Sequence, residues 1–286
     1  MNSDITTQLY EFEPIFKRAV IAAALSPRLS AVLNEACSFL RLLGTHATIV
    51  NIGEDGSETR EKIETAIHQS FFKDYAHSLL IHPGQPAEGL LEIAARMKAD
   101  LVIAGALGKE GLVKYVMGST ARRIAWHAPC SVLLFIDPQV QPRTIQNIHC
   151  AVEYDRKAQS AVKIAAQLAM IIDVNNMYFT HTFRMPKSLE LKKDIIDSKK
   201  IIRMYQREDQ HLKNYLSRHE FYGHSFQTQC LLERNKSVTL TFTKEVAADL
   251  FILPGPRNNS NLWDRLIRID QEFSLQNLPC STLLTR

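Results

Sequence analysis

Two short segments of this 286-residue chain recur in the same order, and that repetition limits the fold more than any other feature. Asp100-Leu-Val-Ile103 returns as Asp249-Leu-Phe-Ile252, and Ala128-Pro-Cys-Ser-Val-Leu-Leu134 returns as Leu278-Pro-Cys-Ser-Thr-Leu-Leu284. The step from Asp to Pro-Cys-Ser differs by a single residue between the copies. Internal self-similarity of this kind means one structural unit used twice. The earlier parts agree. Arg18–Ala24 reads as a strand, Ser30–Leu43 as an amphipathic helix stopped by Gly44, and Ala47–Ile52 as a second strand. In the second copy Asn147–Val152, Lys157–Ile171 and Asn176–His181 take the same roles. The Pro-containing linker Asp137–Arg143 separates the copies, so domains are expected at 1–140 and 141–286.

Strands alternate with helices, and several strands are β-branched runs without polar alternation. That pattern suits parallel sheets covered on both faces, and right-handed crossovers then give two tandem doubly wound α/β domains. A chain with 45% apolar and 22% charged residues is expected to fold rather than remain disordered. The net charge of +4 falls short of the basic stripe that a dedicated nucleic-acid binder carries. Five cysteines without a C-x-x-C pair or metal-ligand spacing suit reduced thiols. No run approaches the roughly 18 apolar residues that cross a bilayer, and the first residues lack the apolar core of a signal peptide. A cytoplasmic protein is the expectation, without nucleic-acid or membrane partners.

In a doubly wound sheet the ligand crevice lies beyond the carboxyl ends of the strands. There the chain carries Gly105-Ala-Leu-Gly108, nine further residues, then Gly118-Ser119-Thr120 opening a short helix that stops at Pro129. Glycine leaves room for a close ligand, and the free N–H groups at a helix start attract anions. Ser119 and Thr120 add hydroxyl donors, and Arg122 and Arg123 follow within the first turn or so, where one of them can reach a phosphate. No dinucleotide fingerprint is present. A Walker loop is excluded by the short spacing before Gly108-Lys109 and by Glu110 in place of Ser or Thr.

The pattern G-x2-G-x9-G-S, set between a strand and a helix that ends at Pro, resembles the ATP-binding signature of the universal stress protein family. The resemblance covers Ala19–Ile136 clearly and Ile148–Leu284 in diverged form. It implies a mainly parallel five-stranded sheet flanked by helices in each domain, paired through strands near Ser131–Ile136 and Ser281–Thr285 as an intramolecular pseudo-dimer, with further homodimers possible. It also implies that Gly105 and Gly108 face ribose and phosphate, and that Gly118, Ser119 and Thr120 bind phosphate oxygens. ATP or a related nucleotide is the implied cofactor, with no metal beyond nucleotide-associated magnesium.

Two departures narrow that reading. Relatives that bind ATP usually carry Asp after the first strand, where this chain has Ala24. Loss of one hydrogen bond to a charged group costs about 1.5–3 kcal/mol, roughly 10- to 150-fold in affinity. The second copy has Glu153 at the acidic position, but its glycines have eroded to Leu253-Pro-Gly255-Pro-Arg257, and Arg268-Ile269 stands near the place of Gly118-Ser119. No ATP is expected there in the usual pose. The remaining signals read as structure. His68, His77, His82, His211, His219 and His224 form no metal-binding spacing, and Cys130 and Cys280 precede apolar strand residues as core thiols. Lys187–Arg218 reads as a solvated amphipathic helix, and His127 as a favourable charge at a helix end.

No nucleophile elbow or other catalytic arrangement is present, so a non-enzymatic stress-response or regulatory protein with one nucleotide site is expected. The alternative is a partner-binding scaffold whose nucleotide site is vestigial.

Overall fold

The computed structural model describes residues 13–105, 118–154, 159–185, 198–233, 238–255 and 278–286. In the first half β1 (Arg18–Ala22), α1 (Leu29–Leu43), β2 (His46–Ile52), α2 (Ser57–His68), β3 (His77–His82), α3 (Pro86–Arg96), β4 (Leu101–Gly105), α4 (Ser119–His127) and β5 (Ser131–Phe135) follow in order. The second half contributes β6 (Asn147–Ala151), α5 (Gln159–Ile172), β7 (Asn176–Phe183), α6 (Ser198–Leu216), β8 (Gln227–Leu232), α7 (Val238–Glu245), β9 (Leu250–Pro254) and β10 (Ser281–Thr285). Local chemistry sets several boundaries. Gly44 takes φ +63 and closes α1 in the left-handed conformation that favours glycine. Pro86 opens α3, where its missing N–H costs nothing.

The ten strands form one sheet in the order β3-β2-β1-β4-β5-β10-β9-β6-β7-β8. Among the described residues each half is parallel throughout, and the only antiparallel pair joins β5 to β10, with Leu133 opposite Leu283. The inner strands β1, β4, β5 and β9 are nearly all apolar, as burial on both faces demands. One core layer packs α1, α2, α5 and α6 on one face, and a second packs α3, α4 and α7 on the other. In the first half the crossovers therefore change face between β1 and β4, which opens a crevice at the carboxyl ends of those strands.

The repeated sequence segments have structural explanations. Asp100, just before β4, accepts hydrogen bonds from the backbone N–H groups of Lys17 (2.8 Å) and Arg18 (2.9 Å) at the start of β1. Asp249 does the same for Gln146 (2.8 Å) and Asn147 (2.9 Å) at the start of β6. The serines of the two Pro-Cys-Ser segments stand at opposite ends of the antiparallel junction and each reaches across it. Ser131 Oγ accepts from Arg286 N at 3.2 Å, and Ser281 Oγ accepts from Ile136 N at 3.4 Å. The cysteines before them are packed thiols whose burial raises their pKa to about 12.

Some expected bounds shift. β1 ends at Ala22, not Ala24, and the described part of the helix after β6 begins at Gln159, residues 155–158 lying outside the described residues. The amphipathic helix is α6, whose inner face uses Leu212, Tyr215 and Leu216, whereas Ile202 is 54% exposed. Ile195 and Ile196 lie outside the described residues. Among the described residues no helix is long and apolar enough to cross a membrane.

One buried polar group stands out. His149 in β6 is fully buried, stacked on Phe251 with ring centroids 4.9 Å apart. Thr243 Oγ1 donates to the Thr239 carbonyl at 2.7 Å, so its lone pair accepts the proton of His149 Nδ1 at 2.9 Å. Nε2 of His149 then accepts from Thr180 Oγ1 at 2.8 Å. The imidazole is neutral, and burial lowers its pKa to about 3.

Two outcomes are expected. Asp249→Ala, which leaves two strand-edge N–H groups without their carboxylate, lowers unfolding free energy by about 2 kcal/mol with an unchanged urea m-value. His149 binds fewer protons folded than unfolded, so its contribution is complete above about pH 6.5 and is lost as pH falls towards 3. Subtracting urea-melt stabilities of His149→Gln from those of the natural protein across that window isolates this slope, and a flat difference contradicts it.

Candidate functional site

The crevice at the face change holds two adjoining cavities of about 270 and 240 Å³. Five residues, Ala22, Ala24, Pro86, Thr120 and Ile124, wall both of them, so the two volumes belong to one site. The larger extends over Asn51 and Gly53 at the end of β2, and the smaller over Arg28, Val32 and Gly105. Most of the lining is aliphatic. Asn51 is fixed: its Nδ2 donates to the Ala23 carbonyl at 2.7 Å and shapes the loop after β1.

The helix start fulfils its expected geometry. Gly118 is the N-cap of α4, with φ −61 and ψ 160, and its carbonyl accepts the first helical bond from Arg122 N at 3.0 Å. Gly118 has no side chain with which to cap this end, and among the described residues none caps it, so the N–H groups of the first turn can face a ligand. Thr120 reaches the cavity wall, whereas Ser119 is exposed beside it. Gly105 lines the smaller cavity at the end of β4. Gly108 lies outside the described residues.

Three residues of the expected site have surroundings that the sequence does not show. Gly105 has a packing reason as well as a position in the site: a Cβ there would lie 2.7 Å from Val32 Cγ2 of α1. Arg123 is engaged elsewhere, its Nη1 lying 2.6 Å from Glu88 Oε1 of α3. Arg122 does not line either cavity, and its Nε is buried without a hydrogen-bond partner among the described residues. The residue that sequence reasoning missed is Arg28, the one charged side chain among the described lining residues. Its signal was weak, an arginine after a Ser-Pro pair just before α1.

The second half fills the corresponding place. Strand register matches Asn51 to His181, and Ala24 and Leu25 to Glu153 and Tyr154. His181 Nδ1 bonds to the Val152 carbonyl at 2.9 Å, as Asn51 bonds to that of Ala23. The Tyr154 ring stacks on His181 at 4.0 Å and meets His211 of α6 edge-on at 6.1 Å. Aromatic side chains thus occupy the strand ends where the first half is open. The altered segment after Gly255, including Pro256, Arg257, Arg268 and Ile269, lies outside the described residues. Among the described residues no three His, Cys, Asp or Glu side chains converge as a metal site.

The sequence profile of the universal stress protein family matches residues 16–135, the half that holds the open cavity. Residues 16–135 are thus similar to the universal stress protein family. The chain is 34% identical over 86 residues to universal stress protein MJ0531 of Methanocaldococcus jannaschii, covering 30% of this chain and 49% of that protein. It is 27% identical over 99 residues to universal stress protein Sll1388 of Synechocystis, covering 35% and 61% respectively. The chain thus spans about half the length of these relatives.

The fold of most of the chain recurs in solved structures. A functionally unknown protein, PA1789, of Pseudomonas aeruginosa superposes with a TM-score of 0.70 at 12% identity, over 94% of this chain and 92% of that one. A universal stress protein of Archaeoglobus fulgidus gives 0.64 at 11% identity, over 96% and 99%. At such identities the likeness is one of fold.

The packing at Gly105 yields a paired outcome. Gly105→Ala destabilises the protein by about 1–3 kcal/mol, as overpacking does, and Val32→Ala in the same chain recovers most of that loss. Thermal melts of the two single variants and the double variant measure the coupling.

Proposed function

We propose that the first half binds ATP or a related nucleotide and that the protein acts as a cytoplasmic stress-response regulator without catalysing a reaction. The observation that carries this reading is the meeting of an uncapped helix start, Gly118–Thr120, with an open cavity at the carboxyl ends of β1, β2 and β4. Phosphate groups would lie at the first-turn N–H groups and the Thr120 hydroxyl, where the helix dipole favours negative charge. The base and sugar would lie against the aliphatic walls, with any magnesium arriving on the nucleotide. The likeness of residues 16–135 to the universal stress protein family supports the same assignment.

Ala24 is exposed at the cavity mouth and offers no acceptor to a sugar hydroxyl. That weakens nucleoside recognition and leaves the anion site as the stronger half. The alternative, a partner-binding scaffold with a vestigial site, draws on this alanine and on the packing reason for Gly105. The second half, with Tyr154 over His181, would serve as a structural and regulatory partner to the first.

ATP at one hundred times its dissociation constant should stabilise the protein by about 2.7 kcal/mol, seen as a rise in melting temperature. Gly118→Asp should remove that rise. The backbone at Gly118 suits any residue, so the variant folds, while its carboxylate repels phosphate. Ala24→Asp should strengthen ATP binding about tenfold by restoring an acceptor. A melting temperature indifferent to ATP in both the natural protein and Ala24→Asp favours the scaffold reading.

A further inference from the structure

Arg28 lines the smaller cavity together with Ala24, Gly105 and Thr120. It precedes α1, and its Nη1 lies 3.4 Å from Asp137 Oδ1, a long contact with both side chains about one-third exposed (38% and 30%). Asp137 is shared. Its Oδ2 lies 3.1 Å from Arg143 Nη2, so it keeps a cationic partner if Arg28 leaves.

The position of Asp137 is imposed by its surroundings. It follows β5 with φ +51, in the left-handed region. The peptide beyond it is fastened to α1: Asn34 Nδ2 donates to the Val140 carbonyl at 2.8 Å, and Gln139 N donates to Glu35 Oε1 at 3.3 Å. The carboxylate thus stands at the start of the segment that joins the two halves, within reach of a side chain in the wall of the cavity.

A long, partly exposed ion pair contributes little to stability. A phosphate chain offers a guanidinium more charge and paired acceptor oxygens in a geometry that suits its fork. We infer that Arg28 is a further anion-binding residue of this cavity and that, when a ligand binds, its contact with Asp137 is exchanged for one with the ligand's phosphates. This rests on the nucleotide reading of the same site. The exchange leaves Asp137 to Arg143, so occupancy of the cavity changes the contacts of the segment between the halves. The site thereby selects anions through a residue outside the glycine signature, and among the described residues the lining carries no carboxylate.

A purely structural ion pair and an exchanging one differ in sign. If Arg28 and Asp137 only support the loop, removing either partner loosens the same contact and shifts ligand affinity in the same direction. If Asp137 competes with the ligand for Arg28, the two removals act oppositely. The experiment is calorimetric titration of the full chain with ATP and, separately, with inorganic tripolyphosphate, which has no nucleoside. Arg28→Ala should weaken both probes about tenfold, and Arg28→Lys should recover part of the loss. Asp137→Asn, which tolerates the left-handed backbone, should tighten both about threefold.

Affinity shifts of the same sign in Arg28→Ala and Asp137→Asn, or ATP binding indifferent to Arg28→Ala, overturn the exchange while leaving nucleotide binding in place. Tripolyphosphate binding that depends on Arg28, with no gain from the nucleoside of ATP, supports the exchange and removes the nucleotide reading. No binding of either probe overturns both.

Discussion

The antiparallel pairing of β5 with β10 is the contact on which the rest of the architecture depends. Each half is a parallel sheet whose last strand would otherwise expose a row of unpaired backbone groups, a liability in any soluble sheet. Joining the two edges removes both liabilities together and makes one ten-stranded sheet. Ser131 and Ser281 reach across the join to backbone N–H groups at the far ends of the opposite strands, which locks the register. Arg286, just past β10, extends the join, its Nη2 accepted by the Trp126 carbonyl (2.9 Å) at the end of α4. The helix whose first turn opens onto the cavity is thus held at its other end by the second half.

That division of labour explains why two copies of one design have diverged. The first half keeps an open crevice at its strand ends, walled by small and aliphatic side chains. The second half keeps the sheet and the helices that cover it, but Tyr154 and His181 stack over the equivalent strand ends. Its core also tolerates a neutral histidine, His149, because two threonine hydroxyls satisfy both ring nitrogens. Such a buried polar group is acceptable only when every partner is present. The second half therefore has a structural role in setting the geometry of the first.

Much of this order was legible in the sequence because it rests on periodic, local signals. The strand runs, the helix that stops at Gly44 and the Pro-Cys-Ser repeat place the elements to within a residue or two, whereas the join between the halves was implied only by the family resemblance. The purpose of the repeated residues was not legible, since Asp100 and Asp249 act on backbone groups more than eighty residues away. Gly105 illustrates the same limit. Its type suggests room for a ligand, yet the neighbour that demands a glycine is Val32, on a helix far away in sequence. Arg123 was credible as a phosphate contact from its place in the first turn, but Glu88 of α3 captures it. Arg28 was overlooked because its relation to the cavity and to Asp137 comes from the way α1 packs against the end of β5.

The central claim is that phosphate binds at the first turn of α4 in the first half and nowhere equivalent in the second. Backbone amide NMR during titration with ATP tests it most directly. The account predicts saturable shifts at Ser119, Thr120 and Ala121, with smaller ones at Gly105, and unchanged resonances at Leu253 and Gly255 beyond β9. Saturable shifts at Leu253 and Gly255 with silent amides at the start of α4, or no shifts at either place, would contradict it.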